Sequence, residues 1–169
     1  NGVNEHIICE MIRKDDIDSF LQIVSQSGEN FDINQRIKST IFERSSLLFH
    51  NPTLIQYSAF FNSIKIFKYL LLNNAKIESS SNDYYSLADY AVAGGSIEII
   101  HILEQKGIEL YNSIPISIKY YQNDIFQYIL DNCSSNQKPS KITSKKIKHD
   151  DLNINDPLFY YYDFDENKY

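Results

Sequence analysis

Apolar residues recur at three- and four-residue steps through residues 53–76, where Ile55 and Ala59, and then Ile66, Tyr69 and Leu70, fall on one helical face. The run breaks at Asn62-Ser63. Asn tolerates the left-handed backbone that ends one helix, and Ser is a good cap for the next. The pattern predicts two short helices joined by a tight turn. It returns over residues 86–109 at a shift of 33 residues, from Leu54 to Leu87. Tyr57 then falls on Tyr90, Ser63-Ile64 on Ser96-Ile97, Ile66 on Ile99 and Leu70 on Leu103, while Asn62 and Asn74 fall on Gly95 and Gly107. Such a period predicts a stacked array. Helices this short are not stable alone, so each must bury its face on a neighbour, and each repeat then contacts mainly the repeats beside it.

The pattern extends unevenly on either side. Residues 4–26 predict an earlier pair, with Ile7, Ile8, Met11 and Ile12 on one face, a turn at Lys14-Asp15-Asp16, and Ile17, Phe20, Leu21 and Val24 on the next. Gly28 ends it, and the pair is expected to cap the array with one polar face. Residues 29–52 do not fit the period. Phe31, Ile33, Ile37, Ile41, Phe42, Leu47, Leu48 and Phe49 make them too apolar for a solvated linker, so they are read as an insertion, with a short helix over 39–49 packed on the first unit. Pro52 marks the boundary of the next unit. Residues 77–85 are polar and turn-prone up to Tyr84-Tyr85. A shortened pair is predicted over 112–133, where Ile125-Phe126-x-Tyr128-Ile129-Leu130 echoes Ile66-Phe67-x-Tyr69-Leu70-Leu71. Residues 134–149 read as a polar, basic linker, and 150–169 as an acidic, aromatic tail with no helical period.

The pattern Thr53-x-Ile55-Gln56-x-Ser58-Ala59-x-x-Asn62-Ser63-x-Lys65-Ile66-Phe67-x-x-Leu70-Leu71-x-x-Asn74-Ala75-Lys76 resembles the ankyrin repeat. That family has Thr-Pro-Leu-His-x-Ala-Ala-x-x-Gly-His-x-Glu-Ile-Val-x-x-Leu-Leu-x-x-Gly-Ala-Asp. The second copy keeps Gly95, Glu98-Ile99-Ile100, Leu103 and Gly107, whereas Leu54 and Leu87 replace the family's Pro, and Gln56 and Asp89 its His. The wording is similar to a divergent ankyrin family abundant in protozoan parasites. The resemblance covers 53–109 strongly and the remainder weakly. It implies an all-α fold, an ankyrin-repeat solenoid of about four helix-turn-helix units (4–26, 53–76, 86–109 and 112–133) with an irregular insertion and a C-terminal tail. It also implies that residues 77–85 are the projecting finger between repeats. Binding is then expected on the concave face and fingers, through Gln56, Phe60, Phe61, Asp83, Tyr84, Tyr85, Asp89, Tyr120 and Tyr121.

Composition narrows the function classes. The chain has 169 residues, enough for one domain with a sizeable core, and 43% of them are hydrophobic with no run long enough to span a membrane. A net charge of −6 argues against general binding to nucleic acid or anionic membranes. Cys9 and Cys133 stand far apart without metal spacing and read as buried, reduced thiols, which suits a cytoplasmic setting. The opening residue is Asn, as expected of a fragment or a processed end. His6, His50, His101 and His149 lack ligand spacing, so no metal is expected. Cys9 and His6 are one helical turn apart, but packing explains them better than a nucleophile and its base. Gly94-Gly95 reads as a helix-ending turn, and no phosphate loop or cofactor motif is found. The lysines between 138 and 148 read as a solvated linker ahead of a nuclear-import signal. The expected function is therefore non-enzymatic: a module binding another protein. The alternative is a structural or self-assembling repeat segment whose aromatic tail docks on its own chain or on a neighbouring one, the latter giving a homodimer.

Overall fold

Thr53 and Ser86 each begin a helix by folding their hydroxyl over its exposed end. In the computed structural model the backbone N–H of Gln56 donates to the Thr53 hydroxyl and that of Asp89 to the Ser86 hydroxyl. The model describes residues 4, 6–40, 45–78 and 83–133, with Cys133 by its backbone alone. Among these the chain is all-helical: α1 (Ile7–Lys14), α2 (Ile17–Ser27), α3 (Leu54–Phe60), α4 (Ile64–Leu72), α5 (Leu87–Gly94), α6 (Ile97–Gln105), α7 (Ile114–Lys119) and α8 (Asn123–Cys133). The expected linker 134–149 and tail 150–169 lie outside the described residues, as do the loop residues 79–82.

The residues form two compact units, one ending at Glu109 and the other beginning at Leu110. In the first, α3 packs between α1 and α5, while α4 packs against α2 and α6. This makes two rows, α1-α3-α5 and α2-α4-α6. Ile8, Cys9, Ile12, Phe20, Leu54, Ile55, Tyr57, Ile66, Phe67, Leu70, Leu87, Tyr90, Ile99, Ile100 and Leu103 are all buried between and within them. Each large apolar side chain so buried contributes about 1.5–3 kcal/mol. The turn inside each pair passes through one left-handed residue: Asp15 (φ 50°), Asn62 (φ 54°) and Gly95 (φ 72°). Asn74 (φ 62°) and Gly107 (φ 78°) do the same after the second helices. The sequence placed these breaks correctly because Asn, Asp and Gly are the residues that tolerate this region.

Two contacts set the spacing of the rows. Helix α4 has no side-chain cap from Ser63, its own N-terminal residue. Instead the Asp15 carboxylate, from the turn of the preceding pair, accepts from the backbone N–H groups of Lys65 and Ile66 at 3.0 Å each. The Ser63 hydroxyl donates back to the carbonyl of Ile12 in α1. Farther along, α5 approaches α3 so closely that a Cβ on Gly94 would lie 2.3 Å from the Ala59 carbonyl oxygen and 2.8 Å from that of Phe60. Only glycine fits there. A Lys68–Glu98 ion pair at 2.5 Å joins α4 to α6, but both side chains are half exposed and the pair adds little.

The insertion departs from expectation. Among the described residues of 39–49 there is no α-helix: Leu48–His50 is a single 3₁₀ turn, and 41–44 lie outside the described residues. The cause is at its base. Arg36 bridges antiparallel to Thr53, Ile37 N–H donates to the Pro52 carbonyl at 2.8 Å, and Ser39 N–H to Asn51 Oδ1 at 3.0 Å. These contacts draw 36–39 against 51–53, and Asn51, directly after the 3₁₀ turn, is left-handed at φ 49°. In the second unit, Pro115 sits in the first turn of α7, where its missing N–H costs nothing, and Ile114, Ile116, Ile125 and Ile129 are buried.

Gly94→Ala should destabilise the protein by about 1–3 kcal/mol, because the clash is with backbone that cannot rotate away. Asp15→Ala should cost about 1–2 kcal/mol through loss of the shared cap, with Asp15→Asn between it and the native chain. Urea unfolding followed by circular dichroism measures both, and native-like midpoints would refute the two contacts.

Candidate functional site

Asp83, Tyr84 and Tyr85, the last residues of the expected finger, lie just before Ser86, which caps α5. Asp83 forms an ion pair with Arg36 of the insertion, Oδ1 to Nη2 at 2.5 Å, and its side chain is only 7% exposed. The Tyr84 ring lies flat on His50, with centroids 4.2 Å apart and planes 10° apart, yet Tyr84 remains 55% exposed. Tyr85 meets His50 edge-on at 5.3 Å and Tyr90 at 6.3 Å. Beneath them the buried Tyr90 hydroxyl donates to the Leu47 carbonyl at 2.9 Å, and burial pushes its pKa well above the usual tyrosine range. The result is an accessible Tyr84 face, with His50 and Phe49 also exposed, on an anchored aromatic base.

The other expected residues divide. Gln56, expected to face a partner, is turned inward and only 6% exposed. Its Oε1 accepts from Thr53 N–H at 2.8 Å, and its Nε2 reaches the Tyr85 carbonyl at 3.5 Å. Asp89 is half-buried, accepting from the Ser86 N–H at 2.8 Å and the Ser86 hydroxyl at 2.9 Å. These two positions build capping boxes at the starts of α3 and α5. The spacing Thr53-x-x-Gln56 and Ser86-x-x-Asp89 carries that signal, and it was overlooked. Phe60 and Phe61 are half-buried, packed edge-to-face at 5.1 Å, with Phe61 also against Tyr57 at 4.6 Å. Tyr120 and Tyr121 belong to the second unit. Tyr120 is half-buried, whereas Tyr121 is 83% exposed and occupies the left-handed turn between α7 and α8 at φ 56°. The sequence reading missed Arg36 and His50, and no short-range pattern marks them.

Other chemistry is sparse among the described residues. Cys9 is fully buried in α1. A shallow hollow of about 220 Å³ opens beside His6, Ile7, Ile23, Phe31 and Gln35. No group of three or more His, Cys, Asp or Glu residues could hold a metal ion, and no helix is long and apolar enough to cross a membrane. No protein-family model matches the chain, and no curated protein matches it either.

A tyrosine in a left-handed turn is strained, because its Cβ crowds the backbone in that region. Tyr121→Asn should therefore raise stability by about 0.5 kcal/mol, seen as a higher midpoint of thermal unfolding. A lower midpoint would mean that the Tyr121 ring makes contacts worth more than the strain.

Proposed function

We propose that this chain is a non-catalytic protein-interaction module of the divergent ankyrin type, a solenoid of four helical pairs that presents its finger and the adjacent aromatic side chains to another protein in the cytoplasm. Paired helices in two rows, left-handed breaks at Asn62, Asn74, Gly95 and Gly107, and the 33-residue shift between Leu54 and Leu87 support the ankyrin reading. The observation that carries the binding role is Tyr84, 55% exposed on a finger whose neighbouring rings are anchored. Tyrosine is a residue type from which interfaces draw much of their energy, and an anchored one loses little freedom when a partner arrives. Gln56 and Asp89 drop out of the contact set, since capping occupies them. Phe60 and Phe61 remain in it, and the exposed His50 joins them.

Immobilised protein tests this reading on extract of the source cell. The native chain should retain a partner that Tyr84→Ala retains at least about tenfold more weakly, the effect of losing one interface hot spot. Leu72→Ser, at an 81% exposed position at the end of α4 and outside the proposed contact set, serves as control and should retain it fully. Equal recovery on the native chain and on Tyr84→Ala would overturn the assignment.

A further inference from the structure

Repeats in a stack are expected to touch only their neighbours, yet the insertion reaches past α3 and α4 to the finger beyond them. It does so at both feet of that finger. At the outgoing foot, just after α4, Asn34 Oδ1 accepts from the Lys76 N–H at 2.8 Å. At the returning foot, Arg36 holds Asp83, while its Nη1 donates to the Asn51 carbonyl at 3.1 Å. One guanidinium thus ties the base of the insertion to the finger. His50 adds a second hold, flat against Tyr84 and edge-on to Tyr85. The Tyr90–Leu47 hydrogen bond fixes the insertion to α5 directly below. The holding groups come from residues 34–50, and those at the returning foot combine charge with stacking.

We propose that the insertion is a clamp that holds the two feet of the finger in place in the free protein, by gripping Lys76 at one foot and Asp83, Tyr84 and Tyr85 at the other. Its importance for binding rests on the reading of the finger as partner-facing, but the clamp itself does not. The three aromatic rings contact one another, with His50–Tyr84, His50–Tyr85 and Tyr84–Tyr85 centroids at 4.2, 5.3 and 5.5 Å. They therefore fill each other's space and leave no open cage for a cationic guest. Their role is to hold the loop, with the outer face of Tyr84 left over for a partner. A ligand that engages the Asp83 carboxylate must first displace Arg36, so binding there and release of the returning foot are coupled.

Backbone ¹⁵N relaxation on the free, full-length chain tests the clamp. In the native protein, residues 83–86 should show order parameters near about 0.85, the value of rigid backbone. Arg36→Ala and His50→Ala should each lower them in part, because the other hold survives. The double variant should bring them below about 0.6, the flexible range, with amide exchange in α3 and α5 within twofold of native. Arg36→Lys should fall between native and Arg36→Ala, since an ammonium replaces the charge but not the fork that also reaches Asn51. Asp83→Asn attacks the same hold from the finger side and should match Arg36→Ala. The clamp is refuted if the double variant keeps native order parameters at 83–86, or if α3 and α5 lose protection by the same factor as the finger, which would make the insertion ordinary core. A finger that loosens while partner retention stays native would uphold the clamp and overturn the partner-facing role of the finger instead.

Discussion

Helix α4 starts without a cap of its own and takes one from the pair before it. An isolated nine-residue helix is unstable in water, and the unpaired N–H groups of its first turn are part of the reason. Asp15 supplies acceptors for two of them, and it can do so only because its own backbone is left-handed at the turn between α1 and α2. The conformation that ends one helix thereby aims the carboxylate that begins another. Ser63, released from capping, binds the Ile12 carbonyl instead. The two hydrogen-bonded links run in opposite directions across the same junction, so neither pair can slide without breaking both.

The next junction is built differently. Ser96 caps α6 itself through the Ile99 N–H, and no borrowed carboxylate is needed. There the rows are fixed by proximity, with the backbone of Gly94 against the carbonyls of Ala59 and Phe60. A polar link at one junction and a backbone contact at the other achieve the same end, which is to bring short amphipathic helices near enough to bury residues such as Ile66, Leu70, Ile99 and Leu103 completely.

How much of this was legible in the sequence follows from the range of the forces involved. Helices and turns in 53–109 were readable because periodicity, Asn or Gly at the breaks and Ser or Thr at the starts all act within four residues. The same logic placed the turn at Asp15. It did not reach the described part of 39–49, where a short helix was expected but Leu48–His50 is a 3₁₀ turn and Leu47 is held by the Tyr90 hydroxyl. Gln56 and Asp89, expected to face a partner, instead close capping boxes, which the spacings Thr53-x-x-Gln56 and Ser86-x-x-Asp89 mark. Asp83 was expected to face a partner, but its engagement by Arg36 spans 47 residues of sequence and leaves no local trace.

Of the expected contact residues in the first unit, Gln56, Asp89 and Asp83 are committed to holding backbone or charge in place, and Tyr85 packs on His50 and Tyr90. Only Tyr84 combines an anchored ring with a largely exposed face. That division follows from the size of the stack. Short helices leave little core to fix a loop, so the side chains nearest the loop must fix it themselves, and few remain for recognition. Under the proposed role, a partner would meet chiefly the exposed face of Tyr84, on a segment held by its own neighbours. Structure and recognition draw on the same residues here, and loosening the insertion would reach the surface without altering a single exposed atom of Tyr84.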